Sequence, residues 1–347
     1  KLLCISLGCD KNLVDAERML GSLSQDGYTF TDDEQEADVI LVNTCCFIND
    51  AKEESVNTIL EMAEYKKTGP LKALIVTGCL AQRYKEEIRK EIPEVDAILG
   101  TNSYEDIVNA ITEALGGRFY EDIVKAVHEA LGGTFYENFK TLEGLPSIHT
   151  KRSVTTGGHF AYLKIAEGCN KRCTYCIIPY ARGRVRSRKI AHVMDEVHAL
   201  AAKGYKEVVL TGIHLSSYGV DFPAEEKETL LSLIRAVHEV EGIERIRLGS
   251  LEPGIITEEF VQSIAALPKM CPHFHLSLQS GCDTTLERMN RRYRSAEYAE
   301  KCGLLRKYLG NPALTTDVIV GFPMETEEDF QDSYDFVESI HFYETHI

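Results

Sequence analysis

The stretch FAYLKIAEGCNKRCTYC, residues 160–176, decides how the second half of the chain folds. Its first part is an apolar run typical of a buried parallel strand, and three cysteines at C-x3-C-x2-C spacing follow: Cys169, Cys173 and Cys176. Three thiolates on one tight loop suit a 4Fe-4S cluster with one iron left open for a small molecule. The alternative is a zinc knuckle that is completed by a ligand from elsewhere in the chain.

Strands and helices alternate from residue 159 onward. The strand candidates are residues 159–166, 207–212, 245–250, 274–278, 314–321 and 342–347. Six strands with helical stretches between them predict a partial (β/α)6 barrel of the TIM type, whose active site lies at the carboxyl ends of the strands. The three cysteines follow one such end.

The first half alternates in the same way, with apolar runs at residues 2–8, 38–44, 73–78 and 97–100. This order predicts an open, doubly wound parallel sheet. Cys9, Cys45 and Cys79 each follow the carboxyl end of a strand, so we expect them at one edge of the sheet, where ligands bind. The default for each thiol alone is a small buried apolar residue, and Cys46 is the alternative ligand if the assignment shifts by one position.

Composition and charge restrict the functional class. The chain has 347 residues, 44% of them apolar, and no run of eighteen apolar residues that would cross a membrane. Eleven cysteines without a secretory signal favour metal or redox chemistry in the cytoplasm over a disulfide scaffold. Residues 1–150 carry 14 basic and 27 acidic side chains, whereas residues 151–220 carry 12 and 4, which makes the later segment the better candidate for binding phosphates.

The predicted domains are residues 1–137, a linker at 138–158, and the barrel at 159–347. Residues 104–119 and 120–135 are a tandem repeat, identical at 12 of 16 positions. Each copy predicts a short amphipathic helix that ends at Gly-Gly. Two copies are too few for a solenoid, so we interpret them as a duplicated surface helix.

The combination of SLGC, VNTC, TGCLAQ and CNKRCTYCIIP resembles the radical S-adenosylmethionine (SAM) methylthiotransferase family, which includes MiaB, RimO and MtaB. The resemblance covers essentially the whole chain. It implies that Cys169, Cys173 and Cys176 hold the 4Fe-4S cluster that cleaves SAM to a radical. It also implies that Cys9, Cys45 and Cys79 hold an auxiliary 4Fe-4S cluster that supplies or relays sulfur.

The same resemblance implies further contacts, although each motif alone is weak. The expected SAM-binding residues are Tyr175, Gly212, Gln279, Gly321 and Pro323. The family commonly has glycine where this chain has Met324. Family members continue past the barrel into a TRAM domain, which we expect to be absent from this sequence, because residues 342–347 are the predicted last strand of the barrel. A flavodoxin or ferredoxin is the expected electron donor.

The two halves resemble different subfamilies. SLGCDKNLVDAERMLG and TGGHFAYLKIAEGC are similar to RimO, which acts on an aspartate of a small-subunit ribosomal protein, whereas the barrel motifs from IIPYARGRVRSRK onward are similar to MtaB, which acts on threonylcarbamoyladenosine beside a tRNA anticodon. Because the barrel loops are closest to the target, we expect tRNA as the substrate, with Arg182, Arg184, Arg186 and His214 in contact with it. The alternative target is the ribosomal protein. The alternative functions are another radical-SAM reaction with one cluster and a non-enzymatic iron–sulfur or zinc-binding module. The basic run is equally typical of an ordinary solvated surface that binds no substrate.

Overall fold

The computed structural model describes residues 1–116, 135–146, 151–226 and 228–347. They form two compact units. Unit 1 is Lys1–Thr155 with Ile177–Arg184, and unit 2 is Thr156–Cys176 with Val185–Ile347.

Unit 1 is built on a five-stranded parallel sheet in the order β1-β2-β3-β4-β5. Its strands are β1 (Leu2–Ser6), β2 (Val39–Thr44), β3 (Ala73–Gly78), β4 (Ala97–Leu99) and β5 (Tyr136–Asn138). Every residue of β2 and β3 is buried, which explains their almost continuous apolar sequences. The helices are α1 (Asp10–Gln25), α2 (Asn49–Thr68), α3 (Cys79–Arg83), α4 (Lys85–Glu91), α5 (Ile107–Ala114) and α6 (Ile178–Arg182), with 3-10 turns at Glu34–Glu36 and Tyr104–Asp106.

Apolar clusters cover both faces of this sheet. Residues of α1 and α5 pack on one face, and residues of α2, α3 and α4 pack on the other. A single parallel bridge joins Phe30 to Leu2 on the free side of β1. The chain therefore reverses its direction across the sheet between β1 and β2, and the carboxyl ends of strands at such a point are where open α/β sheets bind ligands. The predicted doubly wound sheet is confirmed.

Residues that the sequence predicts as a linker lie with unit 1. Asn138 ends β5, and Arg152 Nη2 is 2.5 Å from Glu17 Oε2 on α1. The first copy of the tandem repeat supplies α5. The second copy lies outside the described residues except for Phe135.

Unit 2 contains six parallel strands in order. They are β6 (Phe160–Glu167), β8 (Glu207–Gly212), β9 (Arg245–Leu248), β10 (His273–His275), β11 (Ala313–Asp317) and β12 (Glu344–His346), and β7 (Arg186–Ser187) pairs antiparallel with β6. Bridges at Ile246–Met270 and Leu251–Leu276 join the β6–β9 sheet to the β10–β12 sheet. The predicted partial barrel is confirmed.

Helices alternate with these strands. They are α7 (Ile190–Ala202), α8 (Leu230–His238), α9 (Glu258–Ala265), α10 (Asp283–Arg288), α11 (Ser295–Leu309) and α12 (Glu327–Ile340), with 3-10 turns at Leu215–Ser217 and Pro253–Ile255. Thr229, Thr257 and Thr326 cap the N-termini of α8, α9 and α12, and each hydroxyl accepts a backbone hydrogen bond.

Candidate functional site

The first cysteine triad lies at the carboxyl edge of the unit 1 sheet. Cys9 follows β1 and is the N-cap of α1, Cys45 follows β2, and Cys79 begins α3 directly after β3. The positive end of the α1 dipole therefore lies at Cys9, where it favours a negatively charged sulfur. Cys9 is exposed, whereas Cys45 and Cys79 are buried.

Two glycines allow the chain segments that carry these cysteines to approach each other. Gly8 has φ +87°, and a Cβ there would lie 2.7 Å from Cys45 Cβ and 2.8 Å from Cys45 Sγ. Gly78 has φ +96°, and a Cβ there would lie 2.3 Å from the carbonyl oxygen of Thr44. A side chain at either position would be both strained and in collision with the turn that carries Cys45.

Buried polar side chains fix these turns. Asn12 Nδ2 donates to the carbonyl oxygens of Leu7 and Thr44, both at 2.9 Å, and so ties the end of β1 to the end of β2. The Cys45 backbone N–H donates to Ser55 Oγ at 3.0 Å, and the Ser55 hydroxyl donates back to the Cys45 carbonyl at 2.9 Å. The Cys45 backbone is thus held by a reciprocal pair of hydrogen bonds.

A buried arginine also reaches this triad. Arg182 is 1% exposed, and its Nε donates to Cys79 Sγ at 3.3 Å. Its Nη1 donates to Asp15 Oδ2 at 2.7 Å, and its Nη2 donates to Asn12 Oδ1 at 2.5 Å. All four residues belong to unit 1. The prediction that Arg182 contacts the substrate is therefore wrong, because the guanidinium is enclosed by protein.

Burial governs the protonation of these thiols. It raises the pKa of Cys79 to about 11, while the charge and hydrogen bond of Arg182 oppose the rise and the neighbouring Cys9 and Cys45 add to it. Burial also raises the pKa of Cys45 and brings the pKa of Cys46 to about 12. Metal binding must displace these protons.

Among the residues that the structure describes, no three His, Cys, Asp or Glu side chains are grouped closely enough to hold one metal ion. A 4Fe-4S cluster binds its three thiolates through three different irons, which sets the sulfurs farther apart than the ligands of a single ion. The donor set of each triad, three cysteines and no carboxylate, fits such a cluster.

The second triad lies on the loop after β6 in unit 2. The Lys171 N–H donates to Cys169 Sγ at 3.4 Å, and the Cys176 N–H donates to the Cys173 carbonyl at 3.0 Å. Burial raises the pKa of the Cys169 thiol. Arg291 Nη1 donates to Cys173 Sγ at 3.3 Å, so each triad has one arginine with a hydrogen bond to sulfur.

The loop of the second triad is anchored to the segment after α10. Thr174 Oγ1 donates to the Arg288 carbonyl at 2.9 Å, and the Thr174 N–H donates to the Met289 carbonyl at 3.2 Å. Asn290 Nδ2 donates to the Arg172 carbonyl at 2.7 Å. These contacts fix the loop that carries the cysteines without using any thiol.

Several predicted SAM contacts lie together beside this loop. The Tyr175 hydroxyl donates to Gln279 Oε1 at 3.0 Å, and the Tyr175 ring lies edge-on to Phe322 with 6.2 Å between ring centres. Phe322 stands between Gly321 and Pro323, both of which are exposed. Gln279 has φ +73° although it is not glycine, and strained residues of this kind concentrate at functional sites.

Gly212 and His214 occupy the end of β8. Gly212 is its last residue and pairs with Ala166 of β6. His214 follows two residues later, and its Nδ1 is 2.7 Å from Ser217 Oγ.

Sequence reasoning missed Glu252, which follows β9 and has three nitrogen-bearing side chains near its carboxylate. Its carboxylate is 2.5 Å from Lys171 Nζ, 3.5 Å from His214 Nε2 and 3.8 Å from Arg291 Nη1. Burial acts to raise the pKa of Glu252, but the neighbouring His214 and Lys171 hold it at about 2. An acidic residue just after a strand end, in SLEPG, is the signal that would have found it.

The basic segment 182–189 does not form the expected phosphate-binding surface. Arg182 ends helix α6, so the alternating arginines do not share one side of an extended segment, and Arg186 is 7% exposed while Arg184 is exposed. Arg188 Nη1 is 2.8 Å from Glu196 Oε2, and Lys189 is paired with Glu226. Internal partners therefore neutralise much of the charge that was counted for phosphates.

Family comparisons agree with the two units. Residues 1–100 match the family described as "Uncharacterized protein family UPF0004", and residues 163–337 match the radical SAM superfamily. A ribosomal protein uS12 methylthiotransferase RimO of Lachnoclostridium phytofermentans is 48% identical over 99% of this chain and 74% of the relative. The chain belongs to the radical-SAM methylthiotransferase family. It is a transferase whose cofactors are SAM and 4Fe-4S clusters.

Other relatives in the methylthiotransferase family carry the same description. The RimO proteins of Clostridioides difficile and Acetivibrio thermocellus are 44% and 45% identical over 99% and 97% of this chain, and over 73% and 72% of their own lengths. These matches run through the barrel as well as the first half. The expectation of an MtaB-type barrel and a tRNA target is therefore wrong.

Solved structures share the fold. A structure of the radical SAM methyltransferase TsrM from Kitasatospora setae superposes with TM-score 0.63 at 15% identity and covers 99% of this chain and 72% of that one. The cobalamin-dependent SAM radical enzyme OxsB covers 97% of this chain and 51% of that one, with TM-score 0.60 at 13% identity. At these identities the likeness extends to the fold alone.

None of the helices described is both long enough and apolar enough to cross a membrane.

Proposed function

We propose that this chain transfers a methylthio group to an aspartate of ribosomal protein uS12. The observation that carries the proposal is the identity of 44–48% to uS12 methylthiotransferases over 99% of the chain, which includes the barrel loops that hold the second triad. The acidic balance of residues 1–150, 14 basic against 27 acidic side chains, suits a basic ribosomal protein better than a nucleic acid.

The two triads divide the cluster ligands between them. In this proposal Cys169, Cys173 and Cys176 hold one 4Fe-4S cluster, and Cys9, Cys45 and Cys79 hold the other. When bound, the first cluster with SAM supplies radical chemistry, and the second supplies sulfur. The hydrogen bonds to Cys173 Sγ and Cys79 Sγ support both assignments, because metal-bound thiolates are stronger acceptors than thiols.

Residues of the barrel loops are proposed to hold SAM. Tyr175 and Gln279 are joined by a hydrogen bond beside Phe322, so they form a half-apolar, half-polar wall of the kind that binds a nucleoside. Gly212, Gly321 and Pro323 belong to the same proposal. Arg184 and His214 remain proposed substrate contacts, and a small electron-transfer protein remains the proposed reductant.

Target and ligand assignments need separate experiments. For the target, the reconstituted enzyme with SAM and reductant is incubated with small ribosomal subunits or with tRNA. We expect the mass of uS12 to rise by the replacement of one hydrogen with a methylthio group, whereas modified tRNA with unmodified uS12 would overturn the proposal.

For the ligands, iron and sulfide are counted after anaerobic reconstitution. The unsubstituted chain should hold about eight irons, and Cys45→Ala and Cys173→Ala should each hold about four. Each variant should retain the cluster that its remaining triad binds. About four irons in the unsubstituted chain would indicate a different radical-SAM reaction.

A further inference from the structure

Arg182 is a buried cation beside the first triad, Cys9, Cys45 and Cys79, which is called the N-terminal triad below. Arg182 is among the largest fully buried side chains of the chain, at 1% exposure. It reaches unit 1 on the segment Ile177–Arg184, which begins directly after Cys176. The Thr101 hydroxyl holds this segment through a 2.8 Å hydrogen bond to the Ala181 carbonyl.

Three hydrogen bonds of the guanidinium bear on the position of the sulfur. Nη1 meets the Asp15 carboxylate at 2.7 Å, Nη2 meets Asn12 Oδ1 at 2.5 Å, and Nε meets Cys79 Sγ at 3.3 Å. Because the guanidinium is planar and rigid, these bonds fix the sulfur relative to α1, which carries Asp15 and Asn12. Asn12 also ties the ends of β1 and β2, so one connected group of hydrogen bonds spans the triad.

The sulfur end of this network fits a charged acceptor. A neutral thiol is a weak acceptor, and burying a cation against it returns little of the cost of desolvation. A thiolate bound to iron keeps negative charge and accepts a charge-assisted hydrogen bond. The position of Nε is therefore suited to Cys79 as a cluster ligand.

We propose that Arg182 positions Cys79 and, through its hydrogen bond to the sulfur, raises the reduction potential of the cluster held by the N-terminal triad. Reduction adds negative charge to an iron–sulfur cluster, and hydrogen bonds to its sulfurs stabilise that charge. This inference rests on the proposed function insofar as it requires a cluster on Cys9, Cys45 and Cys79.

Arg152 supplies a matched control, because it pairs with Glu17, which lies on the same helix α1 as Asp15. Its Nε and Nη2 donate to Glu17 Oε2 at 2.8 and 2.5 Å, and the side chains of Arg152 and Glu17 are 7% and 0% exposed. Glu17 and Asp15 are two positions apart on α1, so they project to different sides of the helix. Arg152→Gln breaks a buried ion pair of unit 1, as Arg182→Gln does, but at the Glu17 side of the helix.

The experiment uses the full chain with Cys169, Cys173 and Cys176 replaced by alanine, so that the N-terminal cluster is observed alone. Its midpoint potential is measured by redox titration with electron paramagnetic resonance. Arg182→Gln should shift the midpoint to more negative values. Arg182→Lys keeps the charge but loses the planar guanidinium, so it should shift the midpoint potential less. Arg152→Gln should leave the midpoint potential unchanged.

The outcomes separate the two proposals. If the chain with Cys169, Cys173 and Cys176 replaced by alanine (the parent) binds no iron, the cluster on the N-terminal triad is overturned, and with it the proposed function. A parent that binds the cluster and has the same midpoint with Arg182→Gln would overturn the role of Arg182 alone. If Arg182→Gln takes up no iron while Arg152→Gln takes up the full amount, the positioning role is supported, and Arg182→Lys then reports the potential.

Discussion

Replacing Gly8 by alanine tests whether the close approach of Cys9 and Cys45 builds the N-terminal site. Gly8 has φ +87°, and the new Cβ would lie 2.7 Å from Cys45 Cβ, an atom that no rotamer change of Cys45 can move. The turn that carries Cys45 must therefore shift, and with it the sulfur.

Gly27 separates the steric effect from backbone strain. It also has φ +87°, but nothing lies within 4 Å of a Cβ built there. The strain of alanine at positive φ should destabilise both variants by about 1–2 kcal/mol. Overpacking against Cys45 should destabilise Gly8→Ala by about 1–3 kcal/mol more.

Two measurements compare Gly8→Ala with Gly27→Ala. Urea unfolding of the metal-free chain should give a lower midpoint for Gly8→Ala than for Gly27→Ala. After anaerobic reconstitution, Gly8→Ala should retain about four irons and Gly27→Ala about eight, because only the former displaces a proposed ligand. Equal midpoints together with about eight irons in both variants would refute the reasoning.

Three further predictions concern single side chains. Cys46 lies in the apolar core beside Cys45, so Cys46→Ala should keep about eight irons while Cys45→Ala falls to about four, and the reverse order would show that the ligand assignment is displaced by one residue. Because burial raises the pKa of Cys79 to about 11 and iron binds the thiolate, the rate of cluster assembly on the N-terminal triad should rise with pH up to that value; a rate independent of pH in stopped-flow absorbance would contradict this. Met324 has φ +70° and is 79% exposed, so Met324→Gly should stabilise unit 2 by about 1 kcal/mol in thermal unfolding by relieving backbone strain, and a lower melting temperature would argue against strain at this turn.

The sequence predicts the strands that are buried on both faces and misses two short polar strands, β5 and β7. VILVNT and ALIVTG are apolar over most of their length, and both form fully buried strands. Strand β5, Tyr136–Asn138, is half exposed and polar, so its position depends on pairing with β4 and not on its own pattern. Strand β7 has two residues, which are buried but polar, so its position likewise depends on pairing, here with β6.

The cysteine triads could be located because their placement follows from chain connectivity. A residue just after a parallel strand must lie at the carboxyl edge of its sheet, whatever the side chains do. The fate of a charged side chain does not follow in this way. Counting arginines after Cys176 predicted a phosphate surface, but the partners Asp15 and Glu196 that neutralise Arg182 and Arg188 are known only from the fold.

The expectation of a tRNA target was wrong for a related reason. Short motifs around the barrel loops pointed to tRNA, whereas identity accumulated along the whole chain pointed to a ribosomal protein. Motifs near a cofactor report the chemistry that members of a family share, and the target is selected by surfaces distributed over the molecule.

Unit 1 is discontinuous along the chain, because Ile177–Arg184 completes it after an excursion into unit 2. A protein fragment that stops at Thr155 would lack Ala181, which lies in the apolar core, and the side chain that neutralises buried Asp15. Expression of residues 1–155 alone would thus yield a unit 1 with a cavity in its core. Adding a synthetic peptide of residues 177–184 in trans should raise the melting temperature of that fragment, as in fragment complementation.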